Sequence, residues 1–314
     1  MNNDALAKMK ALASEPDAID RAVEYVTRQL RIFAKERDRI LICFPNEPGS
    51  LGHIVHRAVE EVGAVPVHLG EDLRWSSLLR TAFLNKTTAI FASPLVILGL
   101  NKLSKFTKTP LYIRHALMAG HPTFDWLLDG LSRGMDCQTW GYFDLGGKDI
   151  ICGQSCGASL GVHIRYEEYD VEIVDEDGNV LPDGQIGKIC VIPKADPTVR
   201  VRMHDLARID RSPCPCGRPA PRLMDIREGG DTDMDTLKIA AELYQWDSVL
   251  DVCVRRGEYG LELDLVVFPG LMLPKLPNCA KMVVRNWDPE NDVPFWFMPM
   301  WKYSALSAKR IDNF

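Results

Sequence analysis

Four residues with metal-binding side chains lie in two short segments of this chain and constrain how its middle can fold. Cys156 and His163 stand seven positions apart in CGASLGVH, and Cys214 and Cys216 stand two apart in SPCPCGRP. Two thiolates and an imidazole suit Zn2+, and a further sulfur completes a tetrahedral shell. Such a shell leaves no coordination position for water. The pattern therefore predicts a structural zinc site that joins distant segments.

Two alternatives stay open from these residues alone. The chain has nine cysteines and seven histidines, so a few of them can fall near each other by chance. Cys152 also forms a C-x3-C pair with Cys156 and competes with it as a ligand. If zinc is bound, a structural role is favoured over a catalytic one because the shell is full.

Composition narrows the class of protein. A length of 314 residues is typical of a chain with two domains. A net charge of -6 with no basic run argues against a nucleic-acid partner. The odd cysteine count, with no apolar signal segment after MNNDALAKMK, predicts reduced thiols and a cytoplasmic location. No apolar stretch approaches the ~20 residues that a membrane span needs.

The first part of the chain alternates between helical and strand patterns. Helix is predicted up to about residue 36 and over 53–62 and 75–85, and strands over 38–44, 64–68 and 89–92. This order predicts a largely parallel α/β sheet. The loop NEPGSLG (46–52) is interpreted as a βα turn, with a phosphate cradle as the less favoured alternative.

The pattern changes near Gly146. Alternation over 169–192 around Asp177-Gly178 predicts an antiparallel hairpin. After about Gly229 come a helix over 236–244 and strands over 249–254 and 261–267. We therefore predict three parts: an α/β subdomain (1–145), a β-rich zinc-binding segment (146–226) and a small C-terminal α+β domain (227–314).

Two further segments have competing interpretations. In RVRMHDLARI (200–209), Asp205 could bind a ribose diol, but the residues alone favour a surface ladder of ion pairs. The aromatic segment 295–303 is interpreted as packed core or a subunit contact with a second copy or a companion protein, in preference to a cofactor site.

Longer motifs resemble the phenylacetate–CoA ligase branch of the adenylate-forming enzymes, most clearly over 139–223. RVRMHDLARIDRSPCPCGRPAPRL is similar to that family's run through "PCPCGR", and the segment from Gly161 to Val191 is similar to its "LPDGEEGE" hairpin region. The resemblance implies a truncated adenylate-forming-enzyme fold. It also implies zinc at Cys156, His163, Cys214 and Cys216, because some members carry zinc there.

The resemblance also implies a nucleotide and acyl site. Family members activate a carboxylate with ATP and pass the acyl group to CoA. AGHPTFDW (119–126) lies where the family has "GAEPW". Through this and the other matching motifs, the resemblance implies that Gly120, Phe143 and Asp205 lie at an AMP moiety, with CoA as a further ligand. His121, Asp144 and His204 are expected to line the pocket and to act as acid or base.

The chain departs from the family at positions that handle phosphate. The metal-binding Glu of "YGxSE" is replaced by Gly147, and the C-terminal catalytic lysine by Ser307. The hinge motif, which would fall on 229–234, lacks its arginine, and no phosphate loop is found before residue 20. Losing one oxyanion contact commonly costs ~10²–10³ in rate, so ATP-dependent adenylation is not expected.

Three functions remain open. The first is an enzyme that transfers or hydrolyses an already activated acyl or aryl group, as an acyl-adenylate or acyl-thioester. The second is a ligase completed by another chain, and the third is a non-catalytic protein that binds a ligand or partner. We rank the first and third above the second.

Overall fold

The computed structural model describes residues 3–120, 131, 134–145, 150–156, 161–219, 221–227, 239–240 and 242–295. Two compact units are present. Unit 1 comprises Met1–His68, Thr87–Pro94 and Tyr112–Asp231, and unit 2 comprises Leu69–Lys86, Leu95–Leu111 and Thr232–Phe314. No helix in the described ranges has the length and apolar character needed to cross a bilayer.

Unit 1 begins with two helices where the sequence predicts one long helix. They are α1 (Asn3–Ala13) and α2 (Pro16–Leu30), and α3 (Leu51–Glu61) follows. Pro16 begins α2, where its missing N–H has no partner to lose, so the chain can end one helix and start another there. The prediction of helix up to residue 36 is therefore wrong in its continuity and in its last residues.

Five parallel strands form the first half of the sheet in unit 1. They are β1 (Arg39–Ile42), β2 (Val65–His68), β3 (Ala89–Ala92), β4 (His115–Met118) and β5 (Gln138–Asp144). Their order is β2-β1-β3-β4-β5, and all four pairings are parallel. This confirms the predicted parallel α/β sheet.

The 46–52 loop makes a tight βα turn. Ser50 is the N-cap of α3 and accepts from the His53 N–H at 3.2 Å. A Cβ on Gly52 would lie 2.1 Å from the Pro45 carbonyl oxygen, so the close approach of the helix to the strand end requires glycine there. The turn interpretation is confirmed.

The second half of the sheet is antiparallel. Its strands are β6 (Ile151–Gln154), β7 (Val162–Ile164), β8 (Tyr169–Val174), β9 (Gly187–Pro193), β10 (Val201–Asp210) and β11 (Arg222–Arg227). They continue the order as β5-β6-β7-β11-β10-β9-β8 in one 11-stranded sheet. The first antiparallel pair is β5 with β6, which confirms the change of pattern near residue 146.

The predicted hairpin at Asp177-Gly178 is present in modified form. Gly178 has φ +92°, and an isolated bridge joins Val174 to Val180 across the turn. The strand that pairs with β8 is β9, which begins at Gly187. The connection is therefore longer than the two-residue turn that Asp-Gly predicts.

The side chains of β5 alternate between two hydrophobic clusters. Trp140 and Tyr142 pack with residues of α2 and α3, whereas Phe143 and Leu145 pack with residues from β6 to β11. The side of the sheet that carries Tyr142 is therefore the side that α2 covers. This division of side chains between the two faces of the sheet determines which residues can lie beside the four predicted metal-binding residues.

The described part of unit 2 includes helices α4 (Trp75–Leu84) and α5 (Pro94–Thr107) and a small sheet. The first residue of α5 belongs to unit 1. The strands β12 (Val249–Gly257), β13 (Gly260–Val267) and β14 (Lys281–Asn286) pair in that order. The strands predicted over 249–254 and 261–267 are confirmed, whereas β14 was not predicted. Of the helix predicted over 236–244, residues 239–240 and 242–244 are described and helical, and residues 236–238 and 241 lie outside the described residues.

Candidate functional site

The structure brings together the four metal-binding residues that the sequence singled out. His163 lies on β7, Cys156 follows β6, and Cys214 and Cys216 lie in the connection between β10 and β11. One ligand atom from each residue lies within 4.8 Å of every other. A group of three sulfurs and one imidazole nitrogen at this spacing can hold a metal ion.

Two of the distances between ligand atoms match a tetrahedral shell. Cys156 Sγ and Cys214 Sγ are 3.7 Å apart, and Cys216 Sγ and His163 Nε2 are 3.3 Å apart. Bond lengths of ~2.3 Å to sulfur and ~2.0 Å to nitrogen place tetrahedral ligands about 3.8 Å (S to S) and about 3.6 Å (S to N) apart. Both observed distances agree with these values to within a few tenths of an ångström, so the residues fit the ion.

Strand pairing explains why these segments meet. His163 pairs with Gln154 on one side and with Arg222 on the other. The chain just before Cys156 and the chain just after Cys216 are thus both registered to β7. Gly161 supports the approach: it has φ +89°, and a Cβ there would lie 2.3 Å from Met224 Sδ.

The surroundings of Cys216 have opposing effects on the pKa of its thiol. Burial raises the pKa of Cys216, while the Arg218 backbone N–H, which donates to its Sγ at 3.4 Å, favours the thiolate. A metal ion needs the thiolate form. The N–H bond is therefore the protein contribution that favours the ligating state of Cys216.

Cys152 lies apart from the four-residue group. It is fully buried on β6 among residues of the second hydrophobic cluster, and its thiol donates to the Ile150 carbonyl at 3.6 Å. Burial raises the pKa of Cys152, which favours the neutral thiol. The sequence left Cys152 and Cys156 as alternative metal ligands, and the structure favours Cys156.

Two of the predicted pocket residues meet at the carboxyl ends of β4 and β5. The Gly120 N–H donates to Asp144 Oδ1 at 3.1 Å, and Asp144 is buried. Gly120 has φ +81°, a conformation that favours glycine. Ligands of open α/β sheets bind outside the carboxyl ends of strands, so this carboxylate has the expected position.

The other predicted pocket residues have varied placements. His204 and Asp205 lie on β10, where the pairing with β9 shifts register between Arg202 and Leu206. Phe143 packs in the second hydrophobic cluster. His121, Gly147, Ser307, the 229–234 segment and residues 296–303 lie outside the described residues.

Ion pairs run along the surface of β10. Arg200, one residue before β10, pairs with Glu172 on β8 at 2.5 Å, and Arg208 on β10 pairs with Asp225 on β11 at 2.5 Å. Surface ion pairs of the kind that the residues alone favoured for 200–209 are therefore present, and the role of Asp205 stays a prediction. Phe295 is buried, and its N–H donates to Asp251.

No family model and no curated protein sequence matches the chain. Solved structures do match. One is a 2-hydroxyisobutyryl-CoA ligase in the postadenylation state in complex with 2-HIB-AMP, with TM-score 0.63 and 15% identity over 79% of this chain and 58% of that one. The chain has the fold of the adenylate-forming enzymes. It spans less than two thirds of the length of this ligase.

Two further structures agree. A benzoate CoA ligase from Burkholderia xenovorans LB400 has TM-score 0.57 and 13% identity, covering 88% of this chain and 65% of its own. The amide bond synthetase McbA from Marinactinospora thermotolerans has TM-score 0.53 and 14% identity, covering 89% and 66%. These likenesses show the fold and leave the activity of this chain to be proposed.

Sequence reasoning missed one group of polar residues beside the metal-binding group: Tyr25, Gln29, Tyr142, Gln154 and Arg218. The signal was weak. Gln154 ends the apolar run ICGQ, and a polar residue at a strand position that is buried is the feature that could have marked it.

Proposed function

We propose that this chain acts on an acyl or aryl group that is already activated, as an acyl-adenylate or an acyl-thioester, by transfer or hydrolysis. Structures with the same fold were solved with 2-HIB-AMP and CoA bound, which makes ligands of this class the first to test. The resemblance adds that Gly147 and Ser307 stand where the family carries its metal-binding Glu and catalytic Lys. Both replacements weaken ATP handling more than they weaken binding of an activated acyl group.

The observation that carries the proposal is the buried carboxylate of Asp144, held by the Gly120 N–H at the carboxyl end of the parallel sheet. A buried carboxylate fixed by a backbone N–H is suited to orient a polar ligand group or to accept a proton. In hydrolysis, water adds to the acyl carbonyl carbon, its proton passes to a base, and AMP or the thiol leaves. Asp144, His121 and His204 are the candidate bases.

We also propose that Cys156, His163, Cys214 and Cys216 bind a structural zinc ion. The ion would supply a rigid link between β7 and the two segments beside it. Four protein ligands fill a tetrahedral shell, so the ion would take no direct part in acyl chemistry. Cobalt substitution tests the assignment, because tetrahedral thiolate coordination gives Co2+ intense visible and near-ultraviolet absorption.

A second function, non-catalytic binding of a ligand or partner, is favoured by Phe143. The resemblance places this residue at the AMP moiety, yet its side chain packs among Leu145, Ile150 and Ile164 in the hydrophobic cluster. A ring committed to the core has less surface to offer a base. Binding without turnover would then be the outcome.

Calorimetry followed by turnover separates these functions. ATP, AMP and a non-hydrolysable acyl-AMP analogue are titrated into zinc-loaded protein, and acyl-adenylate and acyl-CoA are then followed by chromatography. We expect the analogue to bind more tightly than ATP, and Asp144→Asn to lower turnover by about 10²-fold or more. Asp170→Asn, on an exposed residue paired with Lys194, is the matched control.

Three results would contradict the proposal. Binding of the analogue with no turnover would assign the non-catalytic function. ATP–pyrophosphate exchange by the chain alone would restore the ligase function. A chain that binds none of the three nucleotides would end the nucleotide-based interpretation altogether.

A further inference from the structure

A row of polar side chains crosses the sheet beside the metal-binding group. Tyr142 on β5 pairs with Gln154 on β6, and Gln154 pairs with His163 on β7. Directly paired residues of antiparallel strands project from the same face of the sheet. Tyr142 lies in the cluster formed with α2, so the row faces α2.

Within the described part of the chain, two members of this row are buried without hydrogen-bond partners. Gln154 is 0% exposed and Tyr142 is 6% exposed. Neither the amide atoms of Gln154 nor the hydroxyl of Tyr142 has a partner among the described residues. Buried polar groups are nearly always bonded to protein, water or ligand, so three orphaned atoms side by side indicate a missing occupant.

Helix α2 supplies the opposite wall. Tyr25 and Gln29 lie one turn apart on it, so they share a face, and both are buried. Arg218, two residues after Cys216, reaches this wall: its Nη2 donates to Gln29 Oε1 at 2.6 Å. The guanidinium of Arg218 thus lies between the metal-binding loop and α2.

Among the described residues, no carboxylate balances the charge of Arg218. Within the described ranges, the partner of its guanidinium is the neutral Gln29 amide, and no carboxylate oxygen lies within 4.0 Å. The nearby Arg165, 5.2 Å from the Tyr25 ring centre, differs in having Glu168 at 4.0 Å. A half-buried guanidinium with a neutral partner attracts an anion.

The two tyrosine hydroxyls lie within the electrostatic reach of Arg218. Burial raises the pKa of Tyr25 to about 12, and the positive charge of Arg218 opposes that rise. Burial also raises the pKa of Tyr142, and Arg218 opposes that rise too. Both hydroxyls remain protonated at neutral pH and can donate.

We propose that Arg218, Tyr25, Tyr142 and Gln154 form a binding site for a small carboxylate. A guanidinium presents two parallel N–H groups that match the two oxygens of a carboxylate. The phenol hydroxyls and the Gln154 amide would satisfy the remaining lone pairs. One positive charge suits a monoanion, and Arg218, the least buried member, marks the opening.

This site does not depend on the proposed acyl chemistry, because Asp144 is not a member of it. The test uses zinc-loaded protein titrated with sodium acetate and sodium benzoate against sodium chloride of equal ionic strength. Calorimetry measures binding, and tyrosine difference absorbance shows whether Tyr25 and Tyr142 sense the anion. Zinc content and circular dichroism verify that each variant is folded.

We expect saturable binding of at least one carboxylate and a tyrosine difference signal. Arg218→Gln should weaken that binding by about 10–100-fold, since it removes the charged donor, and Tyr142→Phe by about 3–10-fold. Arg211→Gln is the matched control, because Arg211 lies on the same connection but pairs with Asp183.

The proposal is overturned if the unaltered protein shows no saturable binding of either anion up to ~0.1 M, well above a typical weak affinity of ~1 mM. It is equally overturned if either Tyr142→Phe or Arg218→Gln, folded and zinc-loaded, binds the carboxylate as tightly as the unaltered protein. Tyr142→Phe keeps the ring and its packing, so this variant decides the matter even if Arg218→Gln does not fold.

Discussion

Replacing one cysteine of the metal-binding group should weaken zinc binding in a way that a neighbouring cysteine does not. Cys214→Ala removes one of four atoms that lie within 4.8 Å of one another. Cys152→Ala removes the same side-chain sulfur from a buried position that lies outside this group. The two variants are therefore matched in chemistry and differ in the predicted role.

The size of the effect follows from the number of ligands. Structural Zn2+ sites with four ligands bind with ~10–16 kcal/mol at pH 7, so one ligand accounts for about 3 kcal/mol. That corresponds to roughly 100-fold in affinity. At a free zinc concentration that saturates both proteins, the free energy of unfolding falls by the same ~3 kcal/mol, because the ion binds the folded state. For a domain of 150–250 residues this lowers Tm by about 6–12 °C.

Competition with a chromophoric chelator measures the affinity, and thermal unfolding at buffered zinc measures the stability. Cys152→Ala should keep the affinity within a few-fold, although its small cavity in the core lowers Tm with and without zinc equally. Equal zinc affinities for the two variants would refute the four-residue assignment. If only Cys152→Ala lost zinc affinity, Cys152 would be a zinc ligand and Cys214 would not.

Two further predictions concern unit 2. Burial raises the pKa of Asp251 to about 6, above its value of ~4 in an unfolded chain. Between these pH values the folded protein binds more protons than the unfolded chain, so its stability falls as pH rises. Asp251→Asn should remove about 2 kcal/mol of this pH dependence, as measured by urea unfolding at pH ~4.5 and ~6.5; identical slopes in both proteins would contradict the assignment. Lys102 is buried, and its Nζ donates to the carbonyls of Tyr244, Trp246 and Val249. Lys102→Met should therefore lower the free energy of unfolding by about 3 kcal/mol or more in the same assay. Lys105→Met, on the exposed side of α5, should lower it little. An equal cost for the two lysine variants would show that the three carbonyl contacts contribute nothing.

Local signals in the sequence were sufficient for much of the fold. The apolar runs around β1 and β3, with helical periodicity between them, predicted parallel strands, and the change near Gly146 marked the start of antiparallel pairing. These features depend on residues near each other in the chain. The division between α1 and α2 has a local signal in Pro16, because proline favours the first position of a helix.

Features that depend on pairing between strands distant in the chain could not be predicted from the sequence. That β11 lies between β7 and β10 follows from register across the sheet, and no local pattern encodes it. The metal-binding residues could be predicted because cysteine and histidine carry their own chemistry. Gln154 and Tyr142 could not, since only the pairing of β5 with β6 shows that they are buried side by side.

The position of the metal-binding group has a physical reason in the sheet itself. Strand β7 has three residues, and it joins the parallel half to the outer antiparallel strands with two residue pairs on each side. Such short ladders contribute few hydrogen bonds, yet β11 must return to β7 after a long excursion through β8, β9 and β10. Closing that excursion costs conformational entropy, and a link near its ends offsets the cost. His163, Cys156, Cys214 and Cys216 lie at this junction, so a bound ion would hold the sheet together where its backbone pairing is shortest.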